Sequence, residues 1–171
     1  MTIHLCNLHY KVGAIRKIVR RHCYLAFMEI RVNIATSGED LEKVYEIRRK
    51  VFVEEQNCPP ILEYVNEEES THFIAYCDGQ PCGAARWRET DNGYKLERFA
   101  VLTEFRSKRV GASLVRAVLE NLPSHDKKVY LNSQVYAIDF YRPFGFVPTG
   151  DRFEEAGIMH QQMILEVSRQ M

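Results

Sequence analysis

The stretch Leu96-Glu-Arg-Phe-Ala-Val-Leu-Thr-Glu-Phe-Arg-Ser-Lys-Arg-Val-Gly-Ala-Ser-Leu114 is a β-type run, a basic turn and a helix start made of small residues. That order suits an anion. The first N–H groups of a helix lack partners and sit at the positive end of its dipole, so they attract phosphate. Gly111 and Ala112 let a bulky diphosphate approach the main chain, and Arg106, Lys108 and Arg109 bring positive charge. The same residues would also serve a solvated basic turn that merely opens a helix; the strand before and the helix after favour the anion site. Elsewhere, His160 stands just ahead of the last strand and is a candidate to face a substrate, although a lone histidine is more often structural. The five cysteines, Cys6, Cys23, Cys58, Cys77 and Cys82, form no C-x-x-C pair and no metal-ligand spacing, so no metal is expected.

The elements that must position this turn follow from periodicity. Ile30 to Ala35 alternates as a strand, and Ser37 offers an N-cap ahead of Leu41, Val44, Ile47 and Val51 at helical spacing. Residues 53–70 are acidic and irregular, with Pro59-Pro60 breaking any long helix, so a loop with short helical turns is expected. His72 to Tyr76 and Cys82 to Arg88 flank Asp78-Gly79, a hairpin signal, and Asp91-Asn92-Gly93 turns into a fourth strand, Tyr94 to Leu102. A helix beginning near Gly111 and a buried fifth strand, Val129 to Leu131, complete a β-α-β crossover. A short helix over 136–142 and terminal strands at about 146–150 and 158–167 finish a single mixed α/β unit.

Composition bounds the partners. The chain has 171 residues, 23 Lys+Arg against 23 Asp+Glu, and 46% apolar residues, enough for one domain with a full core. A net charge of zero lacks the positive field that non-specific nucleic-acid binding needs, and no apolar run approaches a membrane span. A cytoplasmic protein with reduced thiols is expected, neither nucleic-acid- nor membrane-bound, as a monomer or homodimer. Residues 1–27 carry Lys11, Arg16, Lys17, Arg20 and Arg21 and no acid. They read as a basic N-terminal extension, with Met28 as an alternative start, and residues 28–171 as the functional domain.

The run Arg106-x-x-Arg109-Val-Gly-Ala112 resembles the acetyl-coenzyme A signature R/Q-x-x-G-x-G/A of the GNAT N-acetyltransferases. Leu131-Asn-Ser-Gln134 followed by Phe140-Tyr141-Arg-Pro-Phe-Gly-Phe146 is similar to that superfamily's strand-five and helix-four signature. Phe52-Val-Glu-Glu-Gln-Asn57 and Phe153-Glu-Glu-Ala-Gly-Ile-Met-His160-Gln-Gln-Met163 look like the opening and closing motifs of its ElaA-like branch. Two positions depart from the pattern. Arg109 stands where glycine is common, so its backbone is expected to avoid positive φ, and Pro143 is expected to cost a late helical hydrogen bond and to redirect Tyr141.

The resemblance implies a GNAT-type acyl-CoA N-acyltransferase fold, a mostly antiparallel sheet splayed between strands four and five with flanking helices. It implies acetyl-CoA as acetyl donor, with pantetheine paired along Phe99, Ala100 and Val101, and Asn132 reaching that arm. The diphosphate would rest on the amides of Arg106, Ser107, Lys108, Arg109, Val110, Gly111 and Ala112. Acetyl transfer to an amine needs a neutral nucleophile, a polarised carbonyl and a proton for the thiolate. Strand alternation puts Lys95, Glu97, Phe99 and Val101 on one face, which makes Glu97 the candidate base, working through water; a carboxylate paired with Lys95 or Arg98 is the alternative. Tyr141 is the candidate acid, against the alternative of a core tyrosine bonded to backbone. A bulge near Phe99 would free its N–H for the oxyanion. No cysteine pairs with a base, so direct attack in a ternary complex is expected. The glutamates between 54 and 69 would draw a cationic amine by their field. The acceptor is read as a small-molecule primary amine, with a protein amine as a variant, and a non-catalytic acyl-CoA-binding module is the alternative from another class.

Overall fold

Alternation over Ile30–Ile34 makes the edge strand β1, and Ser37 then caps α1 (Gly38–Arg48) by accepting from the Asp40 N–H at 3.1 Å. In the computed structural model, which describes residues 28–124 and 126–166, α1 runs on as a π-helical segment, Arg49–Glu55. That segment was expected to be irregular from residue 53. The predicted basic extension at 1–27 and the Met28 start lie outside the described residues. Proline at the first position starts the one-turn helix α2 (Pro60–Glu63). Strands β2 (Ser70–Cys77), β3 (Gln80–Thr90) and β4 (Gly93–Val101) follow as antiparallel neighbours.

Helix α3 (Val110–Asn121) crosses to β5 (Val129–Gln134), which pairs parallel with β4, and β6 (Phe146–Glu155) and β7 (Ile158–Leu165) close a seven-stranded sheet of order β1-β2-β3-β4-β5-β7-β6. Two cores sandwich it. On one face Val110, Leu114, Val115 and Val118 of α3 pack on Phe73, Ala75, Ala85 and Leu96, each of the Val, Leu and Phe side chains contributing roughly 1.5–3 kcal/mol by burial. On the other, Val44, Ile47 and Val51 cover Ile74, Ala84 and Ala100. The short helix expected at 136–142 is a single α-turn, α4 (Ile138–Tyr141), between 3-10 turns at Val135–Ala137 and Arg142–Phe144. Pro143 falls at the start of the second turn, where its missing N–H costs nothing, so the expected loss of a helical bond does not arise.

The parallel β4–β5 ladder is short: Tyr94 pairs with Val129, Lys95 with Tyr130 and Leu96 with Leu131, and there it ends. Gly93 joins the strands tightly at the other end. It has φ +114°, and a Cβ there would lie 2.1 Å from the Lys128 carbonyl oxygen. Gly93→Ala should therefore lower stability by roughly 2 kcal/mol or more, read as a lower denaturant midpoint. Gly38→Ala, where a Cβ meets nothing within 4 Å, should leave it unchanged or raise it.

Candidate active site

Beyond Leu96 and Leu131 the two strands part, and β4 breaks its alternation. Ala84 faces Ala100 and Arg86 faces Glu97, so Arg98 and Phe99 together oppose Ala85, a bulge in which Arg98 takes φ +59°. The bulge moves one residue across the sheet. Phe99 and Val101 lie with Leu96 on the α3 side, whereas Ala100 is buried on the α1 side. Lys95 and Glu97 thus do not share a face with Phe99 and Val101, contrary to simple alternation.

The parted strands enclose a cleft of about 860 Å³, lined by Phe99, Val101, Leu131, Asn132, Tyr141 and His160, among others. At one end stands the basic turn. Ser107 and Arg109 both take left-handed backbone (φ +61° and +68°), the second against the expectation for a side chain at a glycine position. Such a residue costs about 1 kcal/mol, and alternating hands turn successive amides toward a common point. The Arg106 N–H closes a turn onto the Thr103 carbonyl at 3.2 Å, and the Ser113 N–H reaches the Arg109 carbonyl at 3.0 Å. Between them, the N–H groups of residues 107–112 make no main-chain hydrogen bond of good geometry to a described residue, although the segment is closed as a turn. Of the amides expected to meet an anion, that of Arg106 is thus already taken up by the Thr103 carbonyl. Gly111 has a packing duty as well, since a Cβ there would lie 3.2 Å from the Phe140 ring.

The side chains of this turn behave less simply. The Arg106 guanidinium makes a two-pronged pair with Glu55 (2.8 and 2.6 Å) and donates from Nε to the Val101 carbonyl at 3.0 Å. Lys108 lies over the Phe105 ring, 5.3 Å from its centre, and is not among the residues lining the cleft. Ala100 likewise offers the cleft no side chain. Arg109 does line it.

Asn132 and Tyr141 meet the cleft with unused polar atoms. Asn132 is the first β5 residue past the ladder, and its Oδ1 is buried with no partner among the described residues, an acceptor that would take an amide N–H. Tyr141 packs edge-on against Phe99, Phe140 and Phe146, with ring centres 6.0, 4.9 and 6.0 Å away. Its hydroxyl has no hydrogen bond to any described residue, unlike a core tyrosine tied to backbone. Burial pushes the phenol above its ordinary value near 10, so it stays protonated across the physiological range. His160 stacks on Phe153, and its Nδ1 lies 2.8 Å from the Ile158 carbonyl. That contact assigns the neutral ring's proton to Nδ1 and leaves Nε2 as an acceptor.

Glu97 has a different setting from that of a free base. Its Oε1 takes Arg86 at 2.9 Å and Arg88 at 3.0 Å, and its Oε2 lies 3.1 Å from Lys95 Nζ. Burial alone would raise its pKa, but Lys95, Arg86 and Arg88 outweigh burial and hold it at about 2. A carboxylate this acidic takes a proton poorly. Glu63 and Glu67 also turn inward. Glu63 binds Arg48 at 2.6 Å and Arg98 at 2.8 Å, and Glu67 binds Arg48 at 2.7 Å and also Arg86. Two of the glutamates expected to attract a cationic amine are therefore spent inside the protein.

Periodicity did not point to the wall formed by Val51, Phe52 and Glu55 of the π-helical segment with Gln56, although the Phe52–Asn57 run was visible as a motif. Gln134 donates to the Gln56 side chain at 2.9 Å and ties β5 to that wall.

The chain matches the acetyltransferase (GNAT) domain family over residues 35–167. It is 38% identical over 134 residues to the uncharacterized N-acetyltransferase YjcF of Bacillus subtilis, covering 77% of this chain and 96% of that protein. It is 32% identical over 140 residues to the protein ElaA of Escherichia coli, covering 77% and 90%. The crystal structure of E. coli ElaA superposes with a TM-score of 0.68 at 28% identity, over 81% of this chain and 99% of that one. An Elizabethkingia anophelis GNAT acetyltransferase with acetyl-CoA bound shares the fold, with a TM-score of 0.58 at 16% identity over 81% and 98%. The chain belongs to the GNAT acetyltransferase family, in its ElaA-like branch, and is an acetyltransferase. Among the described residues no helix is long and apolar enough to cross a membrane.

Glu97's depressed pKa contributes stability that is present above its ordinary value near 4.5 and is lost as pH falls toward 2. Glu97→Gln should therefore cost about 3 kcal/mol at pH 7 by denaturant titration, and the wild type's loss of stability below pH 4.5 should be correspondingly flatter in the variant.

Proposed function

We propose that the protein transfers the acetyl group of acetyl-CoA to a primary amine of a small molecule, by direct attack with both substrates bound. The observation that carries this is the junction of three features in one cleft. The β4–β5 ladder stops at Leu96 and Leu131, the amides of residues 107–112 make no main-chain bond of good geometry to a described residue, and the Tyr141 hydroxyl has no described protein partner.

On this reading the amides of 107–112 hold the diphosphate, with Arg109 beside them. The main chain of Phe99, Ala100 and Val101 pairs with pantetheine, and Asn132 Oδ1 accepts one of its amide N–H groups. The bulge at Arg98–Phe99 supports the Phe99 N–H as the donor that meets the carbonyl oxygen as it gains charge. Acetyl-CoA supplies an activated thioester carbonyl. Tyr141 donates a hydrogen bond to the departing sulfur and delivers its proton, while the attacking nitrogen sheds one, so the pair of transfers leaves the net charge unchanged. Glu97 is assigned to holding Arg86, Arg88 and Lys95 rather than to proton abstraction, and ordered water carries the amine proton. His160, with Nε2 as acceptor, is assigned to the acceptor wall.

Purified protein should release thiol from acetyl-CoA with at least one member of an amine panel. Tyr141→Phe should lower kcat about 10²-fold with the CoA dissociation constant unchanged. An unchanged kcat would remove Tyr141 from the chemistry.

A further inference from the structure

The ion pairs beneath the 60–69 loop are unbalanced. Arg48, Arg86, Arg88, Lys95 and Arg98 surround only three carboxylates, Glu63, Glu67 and Glu97. Arg48 and Arg86 are fully buried. Adding the exposed Glu69, 3.9 Å from Arg88 Nη1, still leaves cations in excess within this network, and the exposed Glu155, which also lines the cleft, pairs with none of the five. His72, in contact with Glu67, does not offset them, since burial lowers its pKa and leaves the ring neutral near pH 7.

Three of these cations line the cleft and retain donors. Arg88 gives only Nε to Glu97. Lys95 spends one of its three donors on Glu97. Arg98 uses Nε on Glu63 and Nη2 on the Leu62 carbonyl, at 2.7 Å. All three are mostly shielded from solvent, with side-chain exposures of 17%, 18% and 20%. Uncompensated positive charge in so dry a place is costly unless an anion arrives. A polyamine would add to that charge, whereas a carboxylate would offset it and match the free edge of a guanidinium.

We infer that the acceptor amine carries a carboxylate, bound by Arg88 and Lys95 with Arg98 beside them. The inference rests on the transferase reading above and narrows its substrate class to amino acids and their close analogues. The bound acceptor then presents its amine toward the splay while its anionic end sits on the α1 side of the sheet.

The test compares amines in matched pairs that differ only in the carboxylate: phenylalanine with phenethylamine, lysine with cadaverine, ornithine with putrescine. Thiol release from acetyl-CoA should give a kcat/KM about 10–100-fold higher for the carboxylated member of each pair that turns over. Arg88→Gln and, independently, Lys95→Gln should bring that ratio toward one. Equal rates within pairs, or preference for the decarboxylated member, would overturn the inference. If acetyl-CoA binds and no amine releases thiol, the transferase reading fails, and calorimetry on the CoA-loaded protein then decides the carboxylate site. Amino-acid binding heat that disappears in both variants upholds it, and no heat in the wild type overturns it.

Discussion

The break in β4 at Arg98 is the constraint on which the rest of the site depends. A regular strand would have carried its ladder with β5 past Leu131 and left no opening. A left-handed residue that is not glycine costs about 1 kcal/mol, and here the Arg98 side chain holds it, bonded to Glu63 at 2.8 Å and to the Leu62 carbonyl at 2.7 Å. Glu63 is in turn clasped by the fully buried Arg48, whose guanidinium carbon lies 5.6 and 5.8 Å from the ring centres of Tyr45 and Tyr64. A bend in the main chain is thus anchored to a loop about 35 residues earlier in sequence.

The same anchoring explains why the acidic loop is ordered against the sheet. Breaking one partner out of a buried pair leaves an uncompensated charge, at about 3–5 kcal/mol, so Arg48, Glu63, Glu67 and Arg86 hold one another in a single arrangement. Glu55 plays a comparable part at the other end of the cleft. It holds Arg106 against β4, whereas Arg109, which also lines the cleft, makes no ion pair with a described residue. Main chain, rather than side-chain charge, is then the principal ligand for a diphosphate, which fits the wide latitude of side chains that such a turn tolerates.

Much of this was legible before any coordinates. The succession of strands along the chain followed from alternation and from the turns at Asp78-Gly79 and Asn92-Gly93, and the crossover from the apolar spacing of Leu114, Val115 and Val118, but the place of β7 between β5 and β6 did not. The strand, basic turn and helix start at residues 96–114 were legible because their signal is local. What was not legible depends on long-range pairing. No residue type in Glu97-Arg98-Phe99 marks a bulge, which only the family resemblance suggested near Phe99; Arg98 owes its backbone angle to Glu63 and Leu62, and strict alternation puts Glu97 on the face of Phe99, where it does not lie. The inward turn of Glu63 and Glu67 was hidden for the same reason: a run of glutamates reads as solvated until its arginine partners, on α1 and β3, are brought to it by the fold. The π-helical segment after α1 carries no local signal either, because Lys50 to Val53 would suit an ordinary helix.

The central claim is that the main chain on the two sides of the splay receives one ligand, diphosphate on the amides of 107–112 and an extended arm along Phe99 to Val101. Amide proton–nitrogen spectra recorded during titration with CoA test it directly. The account predicts that the largest shifts fall on residues 107–112, 99–101 and the side-chain amide of Asn132, with residues of β1 and β6 unmoved. Shifts confined to other surfaces, with the amides of 107–112 unchanged at saturating CoA, would contradict it.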